Sequence, residues 1–98
     1  MIITSKQRSY LKGIAMTTDP IFQIGKSGLS DENIEAINEA LVKRELIKIH
    51  VLKSNTDDKN ELANAIAERT DSLVVQVIGS MIVLFKYQHD PKKRKIDI

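Results

Sequence analysis

Ile24-Gly25-Lys26-Ser27-Gly28-Leu29-Ser30 turns a strand into a helix, and the other elements can be read outward from that junction. Upstream, Pro20 bars a helix from running in, and Ile21-Phe22-Gln23-Ile24 is apolar with a bias toward extended backbone. Downstream, Ser30 is a good helix N-cap, and Asp31 and Glu32 place negative charge where the helix dipole favours it. Two glycines permit positive φ and let a bulky anion approach with no Cβ in the way. Gly25, Lys26, Ser27 and Gly28 are therefore the leading candidates for a phosphate contact. A tight strand-to-helix turn uses the same residues for steric reasons alone, and the residues by themselves leave both readings open. Since the acids already occupy the positive end of the helix, an anion here would be held by the loop and Lys26 rather than by the dipole.

Spacing sets aside two look-alikes. A nucleotide-binding P-loop needs glycine five positions before Gly25, and Pro20 stands there. A KH-type RNA loop also reads G-x-x-G but joins two helices, and Pro20 to Ile24 cannot supply the first.

Before the junction, Thr4 and Gln7 form a capping-box signature, with Leu11, Ile14 and Ala15 at helical spacing, which predicts an amphipathic helix over 5–16. Arg8 and Lys12 lie one turn apart on it, able to reach phosphates or simply to cover the helix edge with their stems. After the junction, Ile34, Ile37, Ala40 and Leu41 give the stripe of a second helix ending near Glu45, with Glu39 and Lys43 spaced to pair. Leu46 to Leu52 alternates as a strand with one wet side, Lys48 and His50 among the residues on it. Asn55 to Asp58 supply caps for a third helix carrying Leu62, Ala63, Ile66 and Ala67 and stopping near Thr70. Leu73 to Ile78 and Met81 to Tyr87 are nearly all apolar and are joined by Gly79-Ser80, the composition of a type II′ hairpin. That hairpin is expected to be the interior of the sheet. The predicted fold is α/β in an α-β-α-β-α-β-β order, a sandwich-like four-stranded mixed sheet with helices on both faces, its strand order open. Residues 1–90 are expected to form one domain, and 91–98, with Lys92, Lys93, Arg94 and Lys95, a poorly ordered basic tail serving as an electrostatic arm or a solubilising end.

A chain of 98 residues can bury a core without staples, and the absence of cysteine excludes disulfides, Cys-ligated zinc and thiol chemistry. No apolar run approaches the ~18 residues of a membrane span, and no signal peptide is seen; a soluble cytoplasmic protein is expected. The net charge of +2 hides a segregation. Residues 1–29 carry +3, 30–45 carry −3, 46–72 carry −1 and 73–98 carry +3. The basic ends and the loop are expected to converge on one side facing a polyanion, with ordinary solvated charge as the alternative. His50 and His89 have no acid or second histidine at ligand spacing, and no serine sits in a nucleophile elbow, so neither a metal nor catalysis is expected. With Tyr10, Phe22, Phe85 and Tyr87 the only aromatics, a base-stacking platform is unsupported.

Ser5-Lys6-Gln7-Arg8 with Leu11-Lys12, Ile24 to Ser30, Glu45-Leu46-Ile47-Lys48 and Val75-Gln76-Val77-Ile78-Gly79, in that order, resemble the CRM domain of the small, single-domain, YhbY-like RNA-binding kind. The resemblance covers residues 4 to about 88. It implies a fold similar to the C-terminal domain of translation initiation factor three, and RNA as partner. Bacterial members associate with precursors of the large ribosomal subunit, and plant relatives act in organellar intron splicing. It also implies RNA contacts through Gly25, Lys26, Ser27 and Gly28 and through Lys6, Arg8 and Lys12. Many members carry histidine after the alanine of the first helix, where this chain has Ala15-Met16, which removes that position from the argument.

The expectation is a non-catalytic, monomeric RNA-binding protein acting on large-subunit ribosomal RNA during ribosome assembly, with no cofactor, metal, membrane or small-molecule substrate. The alternatives are a protein-interaction adaptor using Glu32, Glu35, Glu39 and Lys43 on the second helix, and a translation-factor-like domain acting on the small subunit.

Overall fold

The structure, a computed structural model, describes residues 2–98; Met1 of the expected domain lies outside them. Each helix starts where its cap residue stands. Helix α1 (Ser5–Met16) begins at Thr4, whose hydroxyl accepts the Gln7 amide at 3.1 Å while the Gln7 side chain accepts the Thr4 amide at 2.9 Å. Helix α2 (Asp31–Arg44) is capped by Ser30, which accepts the Asn33 amide at 3.0 Å, and α3 (Lys59–Thr70) by Asp58, which accepts that of Glu61 at 3.0 Å. The Glu39–Lys43 pairing read from spacing is absent; among the described residues the ion pair is Asp31–Arg69, at 2.6 Å, tying the start of α2 to the last turn of α3. Both groups are exposed, so it adds little stability.

Strands β1 (Phe22–Ile24), β2 (Leu46–Val51), β3 (Leu73–Ile78) and β4 (Met81–Phe85) form one sheet in the order β1-β2-β4-β3, with β1 and β2 parallel and the other pairs antiparallel. Gly79 has φ +55° and Ser80 is not left-handed, the sign pattern of a type II′ turn. The alternation of β2 sorts the core into two layers. Ile47, Ile49 and Val51 join Ile82 and Leu84 beneath Ile34, Ile37, Leu41, Leu62 and Ile66 of α2 and α3. Leu46 faces the other way, with Val75, Val83 and Phe85 beneath Leu11 and Ala15 of α1. Helices thus cover both faces, as the composition of the strands requires.

Two expectations are corrected. Of the terminal hairpin only β4 is interior; β3 is an edge strand whose one fully buried residue is Val75, and Ile78 is 58 % exposed. The register shifts between Val74 and Gln76, a bulge that sets Val75 and Gln76 together on the α1 side opposite Val83. An apolar run reports burial by α1 and α3 on two faces and says nothing about a strand partner alongside, which is why edge and interior could not be told apart. The second correction concerns the tail. Pairing in β4 stops at Phe85, and the chain then folds back so that Ile96 and Ile98 pack against the α1 layer. Residues 91–98, expected to be a poorly ordered arm, are placed against the domain, where a buried carboxylate, described below, accepts the amides of Lys95 and Ile96.

Candidate nucleic-acid interface

Gly25–Gly28 is a closed turn, with the Gly28 amide donating to the Gly25 carbonyl at 3.1 Å and Lys26 and Ser27 exposed at its tip. Gly28 adopts φ +71°, the left-handed region. Gly28→Ala is therefore expected to cost about 1–2 kcal/mol, read as a lowered urea midpoint with an unchanged m value; an unchanged midpoint would show that the turn relaxes freely. Gly25 is under neither constraint: its φ is not left-handed, and a Cβ there would sit at ordinary contact distance, 3.5 Å from Ser54 and 3.6 Å from Leu52.

The turn is braced by a second loop. The Leu52 amide donates to the Ile24 carbonyl at 2.8 Å, and Asn55 Nδ2 donates to the Gly25 carbonyl at 3.0 Å. Asn55 is itself held by the Asp57 amide, which donates to its Oδ1 at 2.9 Å. Sequence reading saw only helix caps here, and no local pattern reports a contact to a turn 30 residues away. The Gly79-Ser80 turn closes the same end of the sheet, with the Val51 amide donating to the Ser80 carbonyl at 2.7 Å. Lys26 is thus an exposed cation on a turn braced by the loop after β2.

Of the α1 cations, Lys12 is exposed and borders a recess with Met16, Lys48, Gln76, Ile78 and Met81. Lys48, on the wet side of its strand, stands beside Lys12 in this recess. Its carbonyl accepts the Ile21 amide at 3.0 Å, so this recess lies one strand from the start of β1. Counting from Lys48 along β2 to Val51 and across to the loop places Lys26 roughly 15–20 Å away, past the end of the sheet. Arg8 is engaged differently: its Nη1 donates to the carbonyls of Val74 and Val75, at 2.8 and 2.6 Å, satisfying the backbone at the bulge. Lys6 lies toward the other end of α1, beside Tyr10, Asp97 and Ile98. Glu32, Glu35 and Glu39 are exposed on α2, and Glu61 and Glu68 on α3, so the acids cover the opposite face of the sheet from Lys12 and Lys48.

Residues 3–86 match the CRS1 / YhbY (CRM) domain. The chain belongs to this family. The CRM domain here is 44 % identical over 92 residues to Probable RNA-binding protein YqeI of Bacillus subtilis, covering 94 % of this chain and 96 % of that one. It is 33 % identical to an RNA-binding protein of Haemophilus influenzae, over 92 % of this chain and 91 % of its relative. Its fold is similar to the solution structure of the Staphylococcus aureus hypothetical protein SAV1595, described as a candidate RNA-binding protein. The TM-score is 0.79 at 48 % identity, covering 98 % of this chain and all of the other.

The C-terminal basic run and the glycine turn do not converge on one side, contrary to expectation. Lys92, Lys93, Arg94 and Lys95, in the segment that follows the CRM domain, lie by Lys43 near the end of α2, whereas Lys26 lies beyond the far end of β2. Residues 45–52 span that interval, about 20–23 Å of extended chain. Charge totals along a sequence carry no information about which end of a sheet each segment reaches.

Proposed function

We propose that this CRM domain is a non-catalytic RNA-binding protein that engages large-subunit ribosomal RNA, or its precursor particle, during ribosome assembly. The observation that carries the RNA contact is the Gly25–Gly28 turn: exposed at Lys26 and Ser27, closed on itself and tied to Asn55. A turn held this way contributes a cation and backbone amides with little ordering left to do on binding. Lys12 and Lys48 extend the footprint along the α1 side, with Lys6 at its margin, while the acids of α2 and α3 repel a polyanion from the other face. Arg8 takes part chiefly by holding β3 in place. The names of the relatives support RNA as the ligand, and the resemblance to YhbY-like proteins supports the ribosomal setting.

The test is affinity for a large-subunit ribosomal RNA fragment as a function of salt. Three neutralised phosphates give a slope of log K against log salt near −2 to −3. Lys26→Glu is expected to weaken binding about tenfold at low salt and to flatten the slope by about 1. An unaffected mutant removes the turn from the site. Sedimentation of the protein with large-subunit precursors rather than with small subunits tests the ribosomal assignment and separates it from a translation-factor-like role.

A further inference from the structure

Glu45 is the one acidic residue buried in the core, 1 % exposed, and it holds the left-handed φ of +69° at the end of α2. Its carboxylate accepts the backbone amides of Lys95 at 2.7 Å and Ile96 at 3.1 Å, while its own carbonyl accepts the Lys86 amide at 2.8 Å. The C-terminal segment is therefore fastened at both ends of its return path. Between these points Arg94 Nε donates to the Gln88 carbonyl at 3.0 Å and its guanidinium lies 4.6 Å over the Tyr87 ring. A turn at Asp90 receives the Lys92 amide on its side chain and the Lys93 amide on its carbonyl, both at 3.0 Å. The result is a shallow groove of roughly 800 Å³ bordered by five cations, Lys43, Lys92, Lys93, Arg94 and Lys95, with no carboxylate on its wall. The nearby acids are turned to other work, Glu45 under the segment and Asp90 in its turn.

We propose that this groove is a second phosphate-binding site, separate from the Gly25–Gly28 turn, and that the domain bridges two segments of one folded RNA. The inference rests on the RNA-binding reading above. Its ligand class is the ribose-phosphate backbone, recognised by charge and without base readout, because the wall offers ammonium and guanidinium groups and no free aromatic face. The two sites stand at opposite ends of β2, about 20 Å apart, in a molecule 38 Å long, so a short oligonucleotide reaches one of them and a folded RNA reaches both. A groove built on a fastened backbone differs from a flexible basic arm, for its cations are gathered before the RNA arrives.

Full-length protein carrying Lys92→Gln, Lys93→Gln and Lys95→Gln, all exposed positions, is compared with wild type on two RNAs: a three-nucleotide single strand, too short to span the two sites, and a folded ribosomal RNA fragment of about 60 nucleotides. The expected result is a change within twofold on the short RNA. On the folded one, affinity is expected to fall tenfold or more, with a salt slope flatter by about 2–3. Equal losses on both RNAs would mean one continuous site, and no loss on the folded RNA would mean no site; either overturns the proposal. Lys26→Glu in parallel keeps the two readings apart. If it is silent while the triple variant loses affinity on the folded RNA alone, the turn assignment fails and the groove stands. Glu45→Gln retains every cation while replacing one acceptor oxygen by a donor. It is expected to speed amide exchange at Lys95 and Ile96 and to weaken binding of the folded RNA severalfold. Faster exchange with wild-type affinity would refute a preformed groove.

Discussion

Replacing Phe85 by alanine is expected to lower the unfolding free energy by about 3–5 kcal/mol, and to do so unevenly across the molecule. The ring is fully buried at the end of β4, where it pairs with Leu46 on one side and Leu73 on the other. It belongs to the smaller of the two core layers, in which six buried residues hold α1 and the C-terminal segment, against thirteen in the layer under α2 and α3. With so few partners, Leu11, Val75 and Val83 cannot close over the space the ring leaves. Urea denaturation gives the total loss, and native-state amide exchange gives its distribution. Amides of α1 should open at a lower free energy than those of β2, and the C-terminal segment should follow α1. A loss shared equally by both layers would show that the sheet couples them more tightly than their separate packing indicates.

Arg8→Met comes second, with an expected cost of about 1.5–3 kcal/mol, toward the lower figure because the side chain is half-exposed. Methionine keeps much of the stem's packing and removes the donor that serves the carbonyls of Val74 and Val75. Those carbonyls sit at a bulge, where the strand partner cannot take them over. Lys12→Met, one turn along the same helix, leaves an exposed position and is expected to move stability by no more than about 0.5 kcal/mol. Its effect should fall on RNA binding, with a salt slope flatter by about 1. Paired melting curves and binding isotherms for the two variants test this division of labour. Identical behaviour of the two in both measurements would refute it.

Local chemistry was legible in the sequence and long-range contact was not. Thr4, Ser30 and Asp58 cap the helices their residue types announce, and Gly79-Ser80 makes the turn its composition suits. Each of these depends on residues within a few positions. The G-x-x-G turn was found for the same reason, while Asn55, which fixes it, was passed over as a cap because the contact that matters crosses from another loop. Glu45 was visible as the end of a helix and as the first residue of Glu45-Leu46-Ile47-Lys48, and neither reading reports what its carboxylate holds. Its partners are 50 and 51 residues away, and a run of Lys and Arg with no apolar periodicity reads as a disordered tail unless Ile96 and Ile98 are credited with a core to enter. Arg8 looked like its neighbour Lys12, and only the bulge in β3 distinguishes them.

That bulge has a bearing on how the protein behaves in a crowded cell. An open sheet offers its outermost strands to any passing extended peptide, and stacking of copies through such borders is a common route to fibrils. Here β1, at one border, is only three residues long, while β3, at the other, is kinked and has two consecutive carbonyls occupied by Arg8. Neither border presents the straight run of free backbone groups that polymerisation needs, so the arginine that shapes the strand also defends it.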